Sequence, residues 1–359
     1  MTFSEILSQE NAVHHLQTML KTGRIPPALL FHGPAGCGKY AAALSFAAAL
    51  NCTKIPYAGP EQKKKAHAAA PDDLFAAAFQ PKPEDEAKEI SAPEKLDVPP
   101  WESCGKCLSC IQLKNGVHPD IIITGLSDQA AKTGKESGNL KVDTMREMLK
   151  KVYQRSFISP HKVFIVRDAE KLLPEAQNSL LKTLEAPPDG TIICLLSSDK
   201  NALLPTILSR STEVTFSPLS AEALKILLER EGISPENASF LAQAGQGSLD
   251  KARNIKLFMD RAENSKKSSD SLYSFTAMLS KESHKAREET NALLDLMIYR
   301  LRTIWKNSPG KQRAYARLLR DMLELRSFTN RNVSSSRILQ AALLGAESAG
   351  IKLEQLLGE

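Results

Sequence analysis

The sequence has no hydrophobic run long enough to cross a membrane. Its 359 residues contain no stretch of about eighteen consecutive apolar residues, and a spanning helix needs about that many. The first twenty residues include Glu5, Glu10 and two histidines, whereas a secretory signal has a basic start followed by an apolar segment. From these two absences we expect a cytoplasmic protein that does not contact membranes.

Aromatic residues are scarce, and positive charge is not concentrated. Phe, Trp and Tyr make up 6% of the chain, and the formal net charge is +6 with a pI of about 8.9. A mildly basic protein is compatible with a nucleic-acid partner, but no tight basic stripe with interleaved aromatics demonstrates one. The hydrophobic content of 42% supports ordinary globular cores, and the length predicts about two or three domains.

Cysteine is also scarce, and its spacing matters more than its number. Three of the six cysteines form a C-x-x-C-x-x-C run, namely Cys104, Cys107 and Cys110, and Cys52 could supply a fourth thiolate. In a cytosolic chain this spacing favours a metal over disulfides, and four sulfurs in a tetrahedron form a closed structural zinc site. An iron–sulfur cluster is an alternative, although its motif usually includes a further cysteine followed by proline. Unligated thiols are the other alternative.

A glycine-rich loop lies between a predicted strand and a predicted helix. Residues 28–32 form a short apolar run typical of a buried strand, and residues 41–50 are rich in alanine and leucine, which favour a helix. This arrangement points backbone N–H groups and a helix N-terminus at phosphate oxygens. The glycines that allow the backbone to approach a phosphate are Gly33, Gly36 and Gly38.

The last residue of this loop departs from the phosphate-binding pattern G-x-x-x-x-G-K-[ST]. Lys39 matches the lysine that reaches the β- and γ-phosphates, but Tyr40 takes the place of the hydroxyl that binds Mg²⁺. A phenol on a long, rigid arm cannot occupy that position without displacing the metal. The sequence therefore predicts a loop that holds ATP or ADP weakly and does not support efficient hydrolysis.

Further apolar strands alternate with helices along the chain. Short apolar runs predict strands at 120–124, 162–166 and 191–196. Helical spacing of apolar residues predicts helices at 142–152 and 173–184, and the polar stretch 127–139 predicts a surface loop. Such an alternation indicates an α/β fold with a parallel sheet that helices cover on both faces.

The third predicted strand ends in residues that do not suit ATP hydrolysis. An ATPase has an aspartate for magnesium and then a glutamate for water activation at this point, whereas this chain has Arg167 and Asp168. An arginine cannot bind Mg²⁺, and the side chain of Asp168 is short for a base. Glu170 either faces solvent or caps the next helix. Together with Tyr40, Arg167 argues against autonomous hydrolysis.

The regions outside this α/β pattern have their own signals. Ser220 is a suitable helix N-cap, and residues 220–257 predict a small helical lid. The amphipathic pattern at 293–304 predicts a helical C-terminal region. Residues 60–100 contain many prolines and few large apolar groups, which predicts a disordered insert.

The segment after the fourth strand carries a specific resemblance. Residues 203–211, Leu-Leu-Pro-Thr-Ile-Leu-Ser-Arg-Ser, resemble the serine-arginine-cysteine motif of bacterial clamp-loader subunits of DNA polymerase III, with Ser211 in place of the cysteine. The cysteine run resembles the same family. So do the segments 3–39, 141–143 and 176–188. The resemblance covers roughly residues 1–255 as an ordered set.

The resemblance implies a fold and a domain organisation. It implies an AAA+ P-loop domain with an inserted four-cysteine zinc module, a small helical lid and an all-α C-terminal collar domain. We therefore predict an AAA+ core at 1–217, a zinc module at 52–110, a lid at 218–258, a linker at 259–271 and a helical oligomerisation collar at 272–359.

Within this family the chain is more similar to the delta-prime type than to the gamma/tau motor type. Tyr40 and Arg167 replace magnesium-site residues of the motor, and Asp250 lies near the place of its nucleotide-sensing arginine. The resemblance implies that Arg210 acts in trans, as an arginine finger on the γ-phosphate of a neighbouring motor subunit. The implied partners are gamma/tau-type and delta-type subunits in a hetero-pentamer, the sliding clamp and, through the complex, primed DNA.

Other hypotheses stay open from the sequence. The chain could be an active gamma/tau-type ATPase that tolerates Tyr40. It could also belong to another class, as an iron–sulfur or thiol redox protein with a nucleotide loop. Arg210 could be an ordinary surface arginine in a salt bridge.

Overall fold

The computed structural model describes residues 2–54, 101–133, 138–265, 276, 279, 283–307, 312–329, 331, 333–351 and 356. The insert predicted at 60–100 lies outside the described residues, and so do residues 266–271 of the predicted linker. Among the described helices, none combines the length and the apolar character that a membrane crossing requires.

Five parallel strands form one sheet, in the order β2-β3-β4-β1-β5. The strands are β1 (Ala28–His32), β2 (Ile121–Thr124), β3 (Lys162–Val166), β4 (Thr191–Ser197) and β5 (Thr212–Thr215). The first four confirm the predicted strands, because apolar runs of this length are typical of strands that are buried on both faces. The sequence did not predict β5, because its Thr-Glu-Val-Thr contains a single apolar residue and lies at the sheet edge.

Helices cover both faces of this sheet and continue beyond it. Those of the N-terminal part are α1 (Glu10–Thr22), α2 (Lys39–Leu50), α3 (Leu108–Lys114), α4 (Leu126–Thr133), α5 (Val142–Val152), α6 (Pro174–Glu185) and α7 (Pro205–Leu208). The remaining helices are α8 (Ala221–Arg230), α9 (Pro235–Ala244), α10 (Leu249–Ser265), α11 (Ser283–Lys306), α12 (Gln312–Phe328) and α13 (Ser335–Ser348).

Two hydrophobic cores lie on opposite faces of the sheet. Phe31 packs on the face that α1, α2 and the helices α8–α10 cover, and its ring stacks on Phe216 with 5.5 Å between centroids. Leu30 and Phe164 pack on the other face, against α5 and α6. A third core joins α11, α12 and α13. All the strands are parallel, so the segments that follow β1, β3 and β4 meet at one edge of the sheet, where α/β proteins bind ligands.

The polar stretch 127–139 is not wholly a loop, contrary to the sequence prediction. It contains most of α4, and the side chain of Gln129 on that helix is buried. Gln129 donates to the carbonyl of Asn139 (3.0 Å) and accepts from the backbone N–H of Lys141 (2.9 Å). A buried polar anchor of this kind fixes the segment through hydrogen bonds, so the periodicity of apolar residues gave no signal for it.

A carboxylate on α11 connects three helices near the C-terminus. The side chain of Asp295 is only 7% exposed, and it forms ion pairs with Lys251 on α10 and Arg326 on α12. Burial of a carboxylate is costly unless it is paired, so these contacts fix α11 between its neighbours. The domain division at 217, 258 and 271 stays a prediction, and α10 runs continuously through residue 258.

Asp120, immediately before β2, holds the segment that leads into β3. Its fully buried carboxylate accepts three backbone N–H bonds, from Phe157 (2.7 Å), Ile158 (2.8 Å) and Ser159 (2.9 Å). The backbone N–H of Asp120 donates to Nδ1 of His118 (3.1 Å). One side chain therefore satisfies the backbone donors of an otherwise irregular turn.

We expect Asp120→Ala to lower the free energy of unfolding by about 3 kcal/mol or more, because three backbone N–H groups lose their acceptor. Urea denaturation followed by circular dichroism measures the change. The matched control is Asp189→Ala at an exposed turn, which should stay within about 0.5 kcal/mol of the parent chain. Equal midpoints for the two variants would contradict this role of Asp120.

Candidate functional site

The glycine-rich loop occupies the edge of the sheet directly after β1. Gly33 has a φ of +155°, and a Cβ there would lie 2.3 Å from the carbonyl oxygen of Phe216. Gly36 has a φ of +68°, and a Cβ there would lie 2.5 Å from the backbone nitrogen of Asp250. Only glycine fits at these two positions, because the chain after β5 and the start of α10 press on the loop. Gly38 caps α2, which begins at Lys39.

Lys39 is turned onto the carbonyl groups of its own loop. Its Nζ donates to the carbonyl oxygens of Gly33 (2.5 Å) and Pro34 (2.6 Å), and the side chain is buried. Burial lowers the pKa of the Lys39 ammonium, while the nearby Cys37 and Glu170 act in the opposite direction. A phosphate that bound here would have to draw the ammonium away from these two carbonyls.

The two residues that depart from the ATPase pattern contact each other. The guanidinium of Arg167, after β3, lies 5.1 Å from the centroid of the Tyr40 ring, a cation–π contact. The same guanidinium pairs with Asp128 on α4 at 2.9 Å and donates to Ser127. Gly125 leaves room for it, since a Cβ there would lie 3.0 Å from the Cβ of Arg167. The guanidinium of Arg167, with Asp128 as its counter-ion, therefore lies beside the first turn of α2.

These residues do not fit a magnesium ion. The position of the coordinating hydroxyl holds a phenol, and burial raises the pKa of Tyr40, which keeps that phenol neutral. The position of the coordinating carboxylate holds Arg167, whose positive charge repels a divalent cation. The chemistry of the side chains thus disagrees with Mg²⁺-dependent turnover at this loop.

The carboxylates near the loop have structural contacts of their own. Asp168 has a left-handed backbone (φ +56°), and its Oδ2 accepts from the backbone N–H of Leu126 at 3.4 Å. Burial raises the pKa of the Asp168 carboxyl. Glu170 accepts hydrogen bonds from the backbone and hydroxyl of Ser198, after β4, so it links two strand ends instead of only facing solvent.

Asp250 lies against the phosphate loop at the start of α10. The backbone N–H of Leu249 donates to the carbonyl of Gly36 (3.3 Å). A Cβ on Gly36 would lie 3.0 Å from the carboxyl carbon of Asp250. Arg253 pairs with Asp250 at 3.5 Å and also with Glu231. The residue next to the loop is therefore an acid, which repels phosphate.

Arg210 lies just after α7, away from the chain's own phosphate loop. Its guanidinium pairs with Glu185 at the end of α6 (2.7 Å), and it donates to the carbonyl of Thr206 (3.0 Å) and to Ser209 Oγ (3.3 Å). The side chain is about one-third exposed (34%). Within the part of the chain that the structure describes, no hydrogen bond or ion pair connects Arg210 to residues 33–40.

The four predicted cysteine ligands come together in the fold. The sulfurs of Cys52, Cys104, Cys107 and Cys110 lie within 4.8 Å of one another, and all four residues are buried. Cys52 follows α2, while Cys107 and Cys110 lie at the start of α3. The hydrogen bond from Cys52 and then burial raise the pKa of Cys110 well above its ordinary range.

This cluster has the donor set of a structural zinc site. Four sulfurs at this separation suit a tetrahedral ion and leave no open position for a substrate. A divalent cation would also stabilise thiolates that are costly to bury alone. The cluster could therefore bind zinc, and its role would be to hold α3 against the end of α2.

The family model described as "DNA polymerase III, delta subunit" matches residues 8–94 and 87–220, which is more than half of the chain. The chain belongs to this family. It is a member of the clamp-loader family of DNA polymerase III subunits, and its P-loop domain has the AAA+ fold.

Named relatives include both types of clamp-loader subunit. The DNA polymerase III subunit gamma/tau of Mycobacterium bovis is 29% identical over 253 residues, which are 69% of this chain and 35% of that protein. The subunit delta' of Bacillus subtilis is 30% identical over 145 residues, 39% of this chain and 40% of that protein. The chain thus spans about a third of the length of its gamma/tau relative.

A solved structure extends the likeness to the whole fold. The DNA polymerase III gamma subunit-related protein of Thermotoga maritima superposes with a TM-score of 0.50 at 15% identity. The alignment covers 94% of this chain and 99% of that protein. At this identity the likeness concerns the fold alone.

Sequence reasoning missed Glu185 and the contact between Tyr40 and Arg167. Glu185 ends α6 and pairs with Arg210, which follows α7, and nothing in the local sequence pattern indicates this contact. The Tyr40–Arg167 contact joins the first turn of α2 to the end of β3, which are distant in the chain. The only available signal was that both residues depart from the same ATPase pattern.

We expect the purified chain to carry one zinc ion per molecule and to be colourless, because its four buried cysteines form a closed sulfur site. Inductively coupled plasma mass spectrometry measures the metal content. Cys107→Ala should lose the zinc, whereas Cys194→Ala, at a buried cysteine outside the cluster, should keep it. A coloured protein that contains iron, or a metal-free parent chain, would contradict the assignment.

Proposed function

We propose that this chain is a delta-prime-type subunit of the DNA polymerase III clamp loader that does not hydrolyse ATP by itself. The observation that carries the proposal is the contact of Arg167 with Tyr40 beside the phosphate loop. Phosphoryl transfer needs a metal that neutralises the phosphates, and both residues that would hold it are replaced. ATP or ADP could still bind weakly at Gly33–Lys39.

The chemistry of this subunit would then act on the nucleotide of a neighbour. Arg210 is a partly exposed arginine at the end of a short helix, held in place by Glu185 and the carbonyl of Thr206. A planar guanidinium binds two phosphate oxygens at once and stabilises the charge of the transition state. In this proposal Arg210 crosses the subunit interface and contacts the γ-phosphate on a motor subunit.

The assembly that this role requires follows from the family. Gamma/tau-type motor subunits and a delta-type subunit would complete a hetero-pentamer that places the sliding clamp on primed DNA. The zinc module would be structural, and the helices α11–α13 would join the collar of the ring. The domain boundaries at 217, 258 and 271 belong to this proposal.

A second candidate function is an active gamma/tau-type ATPase. Two observations favour it: gamma/tau names are frequent among the relatives, and the loop keeps Gly33, Gly38 and Lys39 of the phosphate-binding sequence pattern. This candidate requires Mg²⁺ to enter beside Arg167, against the charge of that side chain.

We expect the isolated chain to show no ATP turnover above background, because the magnesium position is taken by the Tyr40–Arg167 contact. A coupled assay of ADP release with excess Mg²⁺ measures turnover. The control variant Lys39→Ala should give the same background rate. Steady hydrolysis that Lys39→Ala abolishes would establish the motor function instead.

We expect Arg210→Ala to slow hydrolysis at the adjoining motor site by about 10³-fold or more, and so to lower, without abolishing, the turnover of the reconstituted complex. Single-turnover ATP hydrolysis by the complex measures the effect. Arg230→Ala, an exposed arginine on α8, is the matched control and should behave like the parent. Unchanged hydrolysis with Arg210→Ala in a fully assembled complex would rule out the arginine finger.

A further inference from the structure

An unpaired basic surface lies where α11 ends and α12 begins. It consists of Arg302 and Lys306 on α11 and of Arg313, Arg317 and Arg320 on α12, and we call it the basic face. All five side chains are exposed. Within the described ranges of the chain, none of the five forms a hydrogen bond or an ion pair.

The helix geometry places these side chains on one side of α12 and at the adjoining end of α11. The spacing of three and four residues places Arg313, Arg317 and Arg320 on one side of α12, opposite the buried residues Tyr315, Leu318 and Met322. The last turn of α11 and the first turns of α12 are joined by a short connection, and the two helices pack together. Arg302 and Lys306 therefore lie at the same end of the helix pair as Arg313.

Some basic side chains elsewhere in the described structure have an acidic partner. Arg253 pairs with Glu231, Lys256 with Asp260, and Arg326 with Asp295. At the basic face the neighbouring acids do not serve this purpose. Asp295 is buried and already paired. The exposed acids Asp321 and Glu324 lie one helical turn from Arg317 and Arg320, but in the described structure they form no ion pair with them. An unneutralised group of basic side chains on two packed helices attracts a polyanion.

An aromatic side chain lies within the basic face. Trp305 lies between Arg302 and Lys306 in the last turns of α11, and it is 36% exposed. An exposed indole beside basic side chains is the combination that proteins use for single-stranded nucleic acids, because an unpaired base can stack on the ring while the backbone phosphates bind the cations. A duplex offers no free base for this contact.

We propose that the basic face binds single-stranded DNA, with phosphates on the arginines and Lys306 and a base on Trp305. The proposal adds a direct contact with DNA to the proposed clamp-loading function, and it does not depend on whether the chain hydrolyses ATP. An acidic protein segment would match the charges, but it gives no reason for the exposed indole.

The test is fluorescence anisotropy of a labelled oligothymidylate with the full isolated chain, repeated over a range of salt concentrations. The parent chain should bind more weakly as salt rises, with a slope of about −0.7 per phosphate contact. The triple variant Arg313→Gln, Arg317→Gln and Arg320→Gln should bind about tenfold or more weakly. It should also make the salt slope shallower by about 2.

Two further variants distinguish DNA binding at the basic face from attraction by the overall positive charge of the chain. The triple variant Lys106→Gln, Lys114→Gln and Arg230→Gln removes the same charge at exposed positions outside α11 and α12, and it should bind like the parent. Trp305→Leu should weaken binding without changing the salt slope, and it should abolish the preference for a single strand over a duplex of equal length.

Three results would overturn the proposal. The first is a parent chain that does not bind the oligonucleotide at low salt. The second is equal loss of affinity in the two triple variants, which would make the binding nonspecific. The third is normal DNA binding by the α12 triple variant together with loss of its assembly with the gamma/tau-type and delta-type subunits in size-exclusion chromatography. That result would assign the face to an acidic protein partner. None of these results bears on ATP turnover, which the ATPase assays measure independently.

Discussion

The guanidinium of Arg167, held over the Tyr40 ring and paired with Asp128, is the contact on which the rest of the nucleotide site depends. It connects the end of β3, the start of α2 and α4 at the sheet edge where a motor subunit would hold magnesium. Gly33 and Gly36 of the phosphate loop have no room for a Cβ, because the backbone near Phe216 and Asp250 lies too close. The packing therefore requires glycine at these two positions whether or not a phosphate binds.

Much of the α/β core could be predicted from the sequence, because buried parallel strands are short, apolar and bounded by turn residues. The first four strands agree with the apolar runs to within a residue. Strand β5 and helix α4 could not be predicted in this way. Only Val214 of β5 is buried, and α4 is fixed by hydrogen bonds of Gln129. The spacing of apolar residues along the sequence does not reveal such tertiary constraints.

In the candidate sites, too, sequence spacing predicted some features, while others depend on how distant segments pack. Spacing predicted Cys104, Cys107 and Cys110, and the sequence also offered Cys52 as the fourth ligand, although its place beside them depends on how α2 and α3 pack. The basic face was not apparent from composition, because a net charge of +6 conceals where charges are paired. The spacing of the arginines on α12 becomes informative only once the opposite side of that helix is known to be buried.

The ion pair between Arg210 and Glu185 is weak enough to be exchanged for another contact, as the proposed arginine finger requires. Both side chains are partly exposed, so the pair contributes about 1 kcal/mol at most to stability. A γ-phosphate carries more charge than one carboxylate and offers two oxygens to the guanidinium. In the proposed complex, transfer of Arg210 from Glu185 to a neighbour's nucleotide would therefore cost little. The carbonyl of Thr206, which accepts from the guanidinium, would keep the side chain oriented.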